Sequence, residues 1–247
     1  FPSIKRAYFE SSTDVRRDLD IFQRVFPKMQ NVETFSINMN LFNEIDIVGD
    51  LPKFEKLKTL EISNFNTANV RQRNLLLKLL QSNPNIESIS FSDATLTHAD
   101  PEPRRIANEF LESLFDLDLL KKVDELSLSS TIFSDENLLL FLNNCDLKKL
   151  DLQNIKSEFF TGSCFRDCGE QGDLISLNLD CTHISMVFLN DFFAKTKVLE
   201  NIKVTLNQTW GELEVDFSNI NNENLPLLKN LSFSDLIFTN PLNFSSF

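Results

Sequence analysis

A short apolar pattern recurs along this chain and limits its possible folds more than any other property. The pattern is apolar-x-x-apolar-x-apolar, and its eight copies begin 25, 29, 37, 24, 27, 25 and 29 residues apart. The copies begin at Val32, Leu57, Ile86, Val123, Leu147, Leu174, Leu199 and Leu228. Because a unit this short cannot bury its apolar side alone, the period predicts repeats that stack on one another.

Each copy predicts a β-strand, and the residues between copies predict helices. Apolar residues alternate within each copy, as they do in a strand with one buried face. The segment from Ser134 to Asn137 has the signature of a helix N-cap before an apolar run. Further helices are predicted at residues 14–26, 74–81, 101–120 and 188–194. The spacing of Phe1 and Ile4 indicates a degraded strand ahead of the first copy.

The chain resembles leucine-rich repeat proteins of the ribonuclease-inhibitor-like class, which includes the repeats of F-box proteins. The resemblance rests on apolar residues at the three leading positions of the consensus L-x-x-L-x-L in every copy, and on the segments NLLLKLLQSNPNIESISF (74–91) and SDENLLLFLNNCDLKKLDL (134–152). The ninth position of a repeat, Asn or Cys in the consensus, is Asn only at Asn40 and Asn207. The resemblance implies an α/β fold: a single solenoid of about eight repeats over residues 1–247, shaped as a horseshoe with a parallel sheet on its concave face and helices on its convex face.

Composition disfavours several classes of function. The formal net charge of −12 provides no basic surface for nucleic acid, and no run of 18 apolar residues predicts a membrane span. Four cysteines in 247 residues do not suggest a disulfide scaffold, so we expect reduced thiols in the cytoplasm or the nucleus. The chain begins with Phe1 and Pro2 rather than Met, and we expect it to be an excerpt of a longer protein.

The predicted sheet presents a polar surface on the side away from the core. The third, fifth and seventh positions of the repeats are mostly Ser, Thr and Asn with a few acids, and include no Trp, Tyr, Phe or Arg. This surface is either a solvated or packed sheet face, or a shallow polar groove for an extended, basic segment of a partner. On the second interpretation the candidate contacts are Glu61, Glu125, Asp151, Gln153 and Asp180.

Two irregular connections are further candidates for binding, because insertions in repeat proteins tend to carry function. One spans residues 97–105, and the other spans residues 157–173 and contains three of the five glycines. The second places three phenylalanines in a loop: Phe159, Phe160 and Phe165. These rings either cap the core beneath the loop or form an apolar anchor for a partner.

The sequence favours binding without catalysis. Cys164, Cys168, Cys181 and His183 could supply four zinc ligands, but their spacing fits no common zinc finger. Ordinary thiols are the favoured interpretation, with a disulfide as the alternative. The chain has only two histidines and no glycine-rich nucleotide-binding motif, so we expect no catalytic residues, cofactor or metal.

These observations predict a protein-interaction scaffold. The resemblance implies, more narrowly, the substrate-recognition region of an F-box type ubiquitin-ligase adaptor, whose linker subunit would bind through a region outside these residues. The main alternative is a structural subunit of a fixed nuclear complex, chromosomal or RNA-processing. A regulator of a small GTPase and a receptor ectodomain are weaker alternatives. No direct contact with nucleic acid or membrane is expected.

Overall fold

The computed structural model of the protein describes residues 4–10, 24–25, 28–43, 51, 53–155, 157–181, 184, 186–206 and 223–234. Within the chain there are two compact units, Phe1–Val123 and Asp124–Phe247. Of the helix predicted at 14–26, only residues 24 and 25 are described, and the rest lies outside the described residues. Asn207 also lies outside them.

The first unit is an α/β unit whose strands pair in parallel in the order of the chain. Its strands are β1 (Arg6–Phe9), β2 (Thr34–Asn38), β3 (Thr59–Ser63) and β4 (Ser88–Ser92). The 3-10 helix Met39–Phe42 follows β2. Helix α1 (Val70–Ser82) follows β3, and helix α2 (Pro101–Asp116) follows β4.

The second unit repeats the same arrangement of parallel strands in chain order, with helices between them. Its strands are β5 (Glu125–Ser129), β6 (Lys149–Ile155), β7 (Ser176–Cys181), β8 (Asn201–Leu206) and β9 (Asn230–Ser234). Its helices are α3 (Asp135–Asn144), α4 (Ser163–Asp167) and α5 (Met186–Phe193). The α/β class and the parallel pairing expected from the sequence are therefore confirmed.

The apolar positions of the repeat build the core. In β3, Leu60 and Ile62 are 0% and 1% exposed, and they alternate with half-buried polar residues. All eight predicted strands are present as β2 to β9. The structure adds β1, which begins at Arg6, two residues after the Ile4 at which the sequence indicated a degraded strand.

Four repeats, those of β3, β4, β5 and β6, share one backbone conformation at the eighth repeat position. Asn64, Asp93, Ser130 and Asn154 have φ angles of 56°, 50°, 52° and 53°. This left-handed region is costly for most residues, but Asn and Asp adopt it more readily because their short polar side chains bond locally. Ser130 adopts it without that advantage. The turn residues therefore belong to the repeat, although the apolar pattern does not include them.

The ninth repeat position faces the core after this turn. Phe65, Ala94, Thr131 and Ile155 are each 2% exposed or less. Asn40, which matches the consensus Asn, is instead exposed. Buried side chains, apolar except for Thr131, therefore take the place of the Asn ladder in these four repeats, as the rarity of Asn at this position predicted.

Local capping sets where the helices begin and end. The Ser134 hydroxyl accepts from the Asn137 N–H, and Asn137 reciprocates, which confirms the predicted N-cap. Helix α1 begins earlier than predicted because the Asn69 side chain caps it. Helix α2 ends four residues before predicted, and Asp118 then adopts a left-handed φ of 55°. In the described ranges, no helix has the length and apolar character needed to cross a membrane.

Candidate functional site

The sheets carry the predicted polar residues on the side away from the core. In β2 to β5 the third, fifth and seventh repeat positions are half-buried, while the fourth and sixth are buried. We call the outward-facing side chains of β1–β4 the first polar face and those of β5–β9 the second polar face. Strands hold these side chains on a hydrogen-bonded frame, so their backbone positions are fixed before any ligand binds.

Strand β1 adds two side chains to the first polar face that the sequence analysis missed. Arg6 and Tyr8 are exposed and alternate with the buried Ala7 and Phe9. The absence of Tyr and Arg from this side of the sheet, which holds for the eight copies of the repeat, therefore does not extend to β1. The missed signal was Ile4-x-x-Ala7-x-Phe9, which fits the repeated pattern with a small residue at its fourth position.

A hollow of about 210 Å³ opens on the first polar face. Tyr8 pairs in register with Ser36, and Ser36 pairs in register with Glu61, so the three side chains form one row across the strands. Tyr8 is 61% exposed, and its ring is therefore accessible from the hollow. The lining also includes Glu10, Asn38 and Ser63.

Glu61, a predicted contact, is held by a hydroxyl rather than by a cation. The Ser36 Oγ donates a hydrogen bond to Oε2 of Glu61. No Lys, Arg or His in the described part of the chain forms an ion pair with Glu61. The carboxylate therefore presents its negative charge to the hollow without an internal counter-charge.

On the second polar face, the predicted contacts Asp151 and Gln153 bind each other. Gln153 Nε2 donates to Asp151 Oδ2 at 2.9 Å, and Asn178 Nδ2 donates to Asp151 Oδ1 at 2.9 Å. Burial raises the pKa of the Asp151 carboxyl, while these hydrogen bonds and the charge of Lys203 oppose the rise. Asp151 is thus engaged in an internal network.

The other two acidic candidates also lie in the second unit. Lys149 donates from Nζ to Glu125, its neighbour in register, and the two form an ion pair. Asp180 is half-buried in β7 and pairs in register with Thr205 of β8. The structure therefore separates the five candidates on the sheets: Glu61 is in the first unit and the other four are in the second.

The phenylalanines of the connection 157–173 lie mainly in the core. Phe160 and Phe165 are 2% and 0% exposed. Ring centroids lie 4.7 Å apart for Phe133 and Phe160, and 4.5 Å apart for Phe165 and Phe192. This corrects the anchor interpretation for Phe160 and Phe165, because neither ring keeps a surface that a partner could touch. Phe159 is half-buried.

Asp135, the first residue of α3, fixes the same connection. Its Oδ2 accepts hydrogen bonds from the Thr161 backbone at 2.9 Å and the Thr161 hydroxyl at 2.7 Å, and its Oδ1 accepts from the Gly162 N–H at 2.8 Å. Gly162 has a φ of +87°, and an added Cβ would lie 2.6 Å from Ile184. The sequence indicated Asp135 only as part of a helix N-cap, so this role was missed.

Three of the four cysteines are buried free thiols: Cys145, Cys164 and Cys168. Burial raises the pKa of Cys145 to about 12 and that of Cys168 to about 11, and it also raises the pKa of Cys164. A raised pKa disfavours the thiolate, which is the form that binds metal or attacks a substrate. The described residues contain no group of three side chains that could hold a metal ion. His183 and the side chain of Cys181 lie outside them.

The connection 97–105 is tied down by its own arginine. Arg104 Nε donates to the His98 carbonyl at 2.8 Å, and Arg104 Nη2 donates to the Ala99 carbonyl at 2.9 Å. His98 Nε2 lies 3.1 Å from Thr67 Oγ1, and burial lowers the pKa of the ring. These groups bond to the backbone and to each other, so the connection is a structural element of the first unit.

A row of ion pairs lies at the second repeat position, just before the strands. Lys58 Nζ lies 2.9 Å from Glu87 Oε2 in the first unit, and Lys148 Nζ lies 2.7 Å from Asp124 Oδ2 in the second. Further pairs are Lys5–Glu33 and Lys229–Glu200. Lys and acidic residues at this position are also visible in the sequence.

Comparison of the sequence with protein-family models found no matching family, and comparison with curated proteins found no match.

Proposed function

We propose that the chain is a non-catalytic protein-interaction scaffold of the leucine-rich repeat type. The observation that carries the proposal is the row Tyr8, Ser36 and Glu61 around the hollow of the first polar face. Aromatic residues and arginine are enriched at protein interfaces, and this face offers an exposed Tyr8 and an exposed Arg6.

Strands β2 and β3, each paired with a strand on both sides, favour binding through side chains rather than by strand addition. Neighbouring strands use their backbone groups on each other; for example, the Glu33 carbonyl accepts from the N–H groups of Lys58 and Thr59 at 2.9 and 3.0 Å. The outward side chains are mostly short, so ordering them on binding costs little conformational entropy. An extended segment of a partner that lies across the strands would meet successive side chains of the row.

The narrower proposal follows from the resemblance to the ribonuclease-inhibitor-like class. The chain would be the substrate-recognition region of an F-box type ubiquitin-ligase adaptor in the cytoplasm or nucleus. The buried free thiols support this setting because free thiols do not suit an oxidising compartment. The net charge of −12 supports a protein partner because it does not suit a nucleic-acid surface. The linker subunit of the ligase would bind outside these 247 residues.

The test is affinity capture of the protein from its native cells, followed by mass spectrometry. The face variant combines Tyr8→Ser with Glu61→Arg. The control is Glu112→Arg, which makes the same charge change at an exposed position of α2. Circular dichroism and thermal melting confirm that both variants fold. We expect the face variant to lose at least one partner that the wild type and the control retain.

Each outcome of this capture discriminates between functions. Recovery of cullin and linker subunits with the wild type supports the adaptor. A fixed stoichiometric assembly without them favours a structural subunit of a complex. A folded face variant that keeps every partner contradicts the proposed role of the first polar face.

A further inference from the structure

The hollow of the first polar face combines an aromatic ring with carboxylates and contains no positive side chain. The charged residues of its lining are Glu10 and Glu61, both acidic. Tyr8 stands in the same row as Glu61, with the short Ser36 between them. At a strand spacing of about 4.8 Å, the backbones under Tyr8 and Glu61 are about 10 Å apart. A side chain of a partner can therefore enter between the ring and the carboxylate.

Both walls of this gap attract a cation. The face of an aromatic ring attracts positive charge, and a carboxylate forms its strongest hydrogen bonds with charged donors. Ser36 occupies Oε2 of Glu61, while Oε1 accepts no hydrogen bond from the described residues. A planar guanidinium can lie over the Tyr8 ring and donate from its edge to Oε1. An ammonium group lacks that planar geometry.

We propose that the hollow binds an arginine side chain from an extended segment of a partner protein. This inference deepens the proposed function and rests on it. The occupant is chosen by charge complementarity: the hollow is acidic, its aromatic wall is exposed, and the hydroxyl and amide groups around it suit the peptide backbone on either side of the arginine.

The second polar face does not offer the same site. Asp151 occupies the repeat position that corresponds to Glu61, but it already accepts hydrogen bonds from Gln153 and Asn178. Lys203, the next residue in register beyond Asn178, supplies a positive charge close to it. An incoming arginine would have to displace these internal partners, so we place the arginine on the first face.

The test is a titration of the isotope-labelled 247-residue chain with two short peptides, followed by NMR. The probe is acetyl-Ser-Gly-Arg-Gly-Ser-amide, and the matched control peptide replaces Arg with citrulline, which has the same shape without the charge. We expect chemical-shift changes centred on β1 to β3 with the arginine peptide, weakening as salt is added. The citrulline peptide should bind at least about fivefold more weakly, as expected for loss of a charge-assisted hydrogen bond.

Two variants assign the binding to the two walls. Glu61→Gln should lower the affinity about tenfold, and Tyr8→Ala about threefold, since a cation–π contact at an exposed site is the weaker of the two. Glu112→Gln on α2 should leave the affinity unchanged. Absence of localised shifts, equal binding of the citrulline peptide, or full affinity in Glu61→Gln would each overturn the arginine site.

Failure of this site is distinguishable from failure of the scaffold function. If Tyr8→Ser with Glu61→Arg removes a captured partner while Glu61→Gln and Tyr8→Ala do not weaken it, the face binds the partner without an arginine in the hollow. If the partner is also retained by the Tyr8→Ser and Glu61→Arg variant, the proposed role of the first polar face is wrong as well.

Discussion

The two polar faces use the same repeat position for a carboxylate and give it opposite surroundings. Glu61 on β3 has Ser36 and Ser90 as its neighbours in register, and only the Ser36 hydroxyl bonds to it. Asp151 on β6 bonds to two amides and lies near Lys203. The first carboxylate faces a hollow, whereas the second is part of a closed network.

This difference shows that the repeat backbone decides where a side chain points, while its neighbours in register and along the same strand decide whether it is available. A serine neighbour is too short to satisfy both oxygens of a carboxylate, and it leaves space beside the strand. Asparagine and glutamine neighbours reach the carboxylate and fill that space. Acidic residues at equivalent positions are therefore not equivalent candidates for binding.

The largest expected effect is a loss of stability in the second unit. It tests whether Phe165 belongs to the core or to a binding surface. Phe165→Ala should lower the free energy of unfolding by about 3–5 kcal/mol, because it empties a fully buried aromatic site. The matched change Phe159→Ala, at a half-buried ring, should cost about 1 kcal/mol. Urea denaturation measures both. If both substitutions lowered the free energy of unfolding by the same small amount, Phe165 would not be a core residue, and the connection 157–173 would again be a candidate binding surface.

A smaller effect tests the closed network around Asp151 through pH. Burial raises the pKa of this carboxyl above its ordinary value of 3.8, so the folded protein takes up the proton before the unfolded chain does. The cost of burying the charge is present at neutral pH and is lost as the pH falls through the raised pKa. As the pH falls from neutral to about pH 4, the free energy of unfolding of the wild type should therefore rise relative to that of Asp151→Asn.

The same comparison in a Lys203→Gln background sharpens this test. The charge of Lys203 lowers the pKa of Asp151. Removing it should therefore move the pH at which the wild type gains stability relative to Asp151→Asn to a higher value. Denaturant midpoints measured over this pH range decide the matter. A difference between wild type and Asp151→Asn that stays constant with pH would show that burial does not control this carboxyl.

The smallest effect concerns the ion pairs at the second repeat position, where the two units should behave alike. Glu87→Gln should cost about 0.2–1 kcal/mol, because Lys58 and Glu87 are both exposed to solvent. Asp124→Asn, which breaks the pair with Lys148, should cost a similar amount. Both losses should shrink at high salt. A much larger loss in one unit would mean that this row is a structural element there.

Much of the frame was predictable because it depends on local periodicity. The alternation that places Leu60 and Ile62 in the core is the same alternation that predicted the strand. The N-cap at Ser134 was predictable because its bonding partner is three residues away. Strand β1 was missed because Ala7 is a weak apolar signal, and without β1 the first polar face lacks its exposed tyrosine and arginine.

The candidate site could be predicted only in part, since availability depends on contacts between residues that are distant in the chain. The sequence predicted that Glu61 and Asp151 both face away from the core. It could not show that Asp151 is engaged by a hydrogen bond from Asn178, whereas Glu61 has no amide partner of this kind. It also left open whether Phe160 and Phe165 cover the core or face a partner, because an apolar residue in a connection fits both.

The sequence by itself determined the period, the strands β2 to β9 and the residue types that these strands turn away from the core, because each depends on the spacing of neighbours along the chain. Only the tertiary structure decided which repeats stand side by side in register, and therefore which side chains share a row. That pairing joins Tyr8 to Ser36 and Glu61 across strands 28 and 25 residues apart in the chain. Burial and charge pairing arise at that level because the atoms that cover or neutralise a side chain come from other repeats.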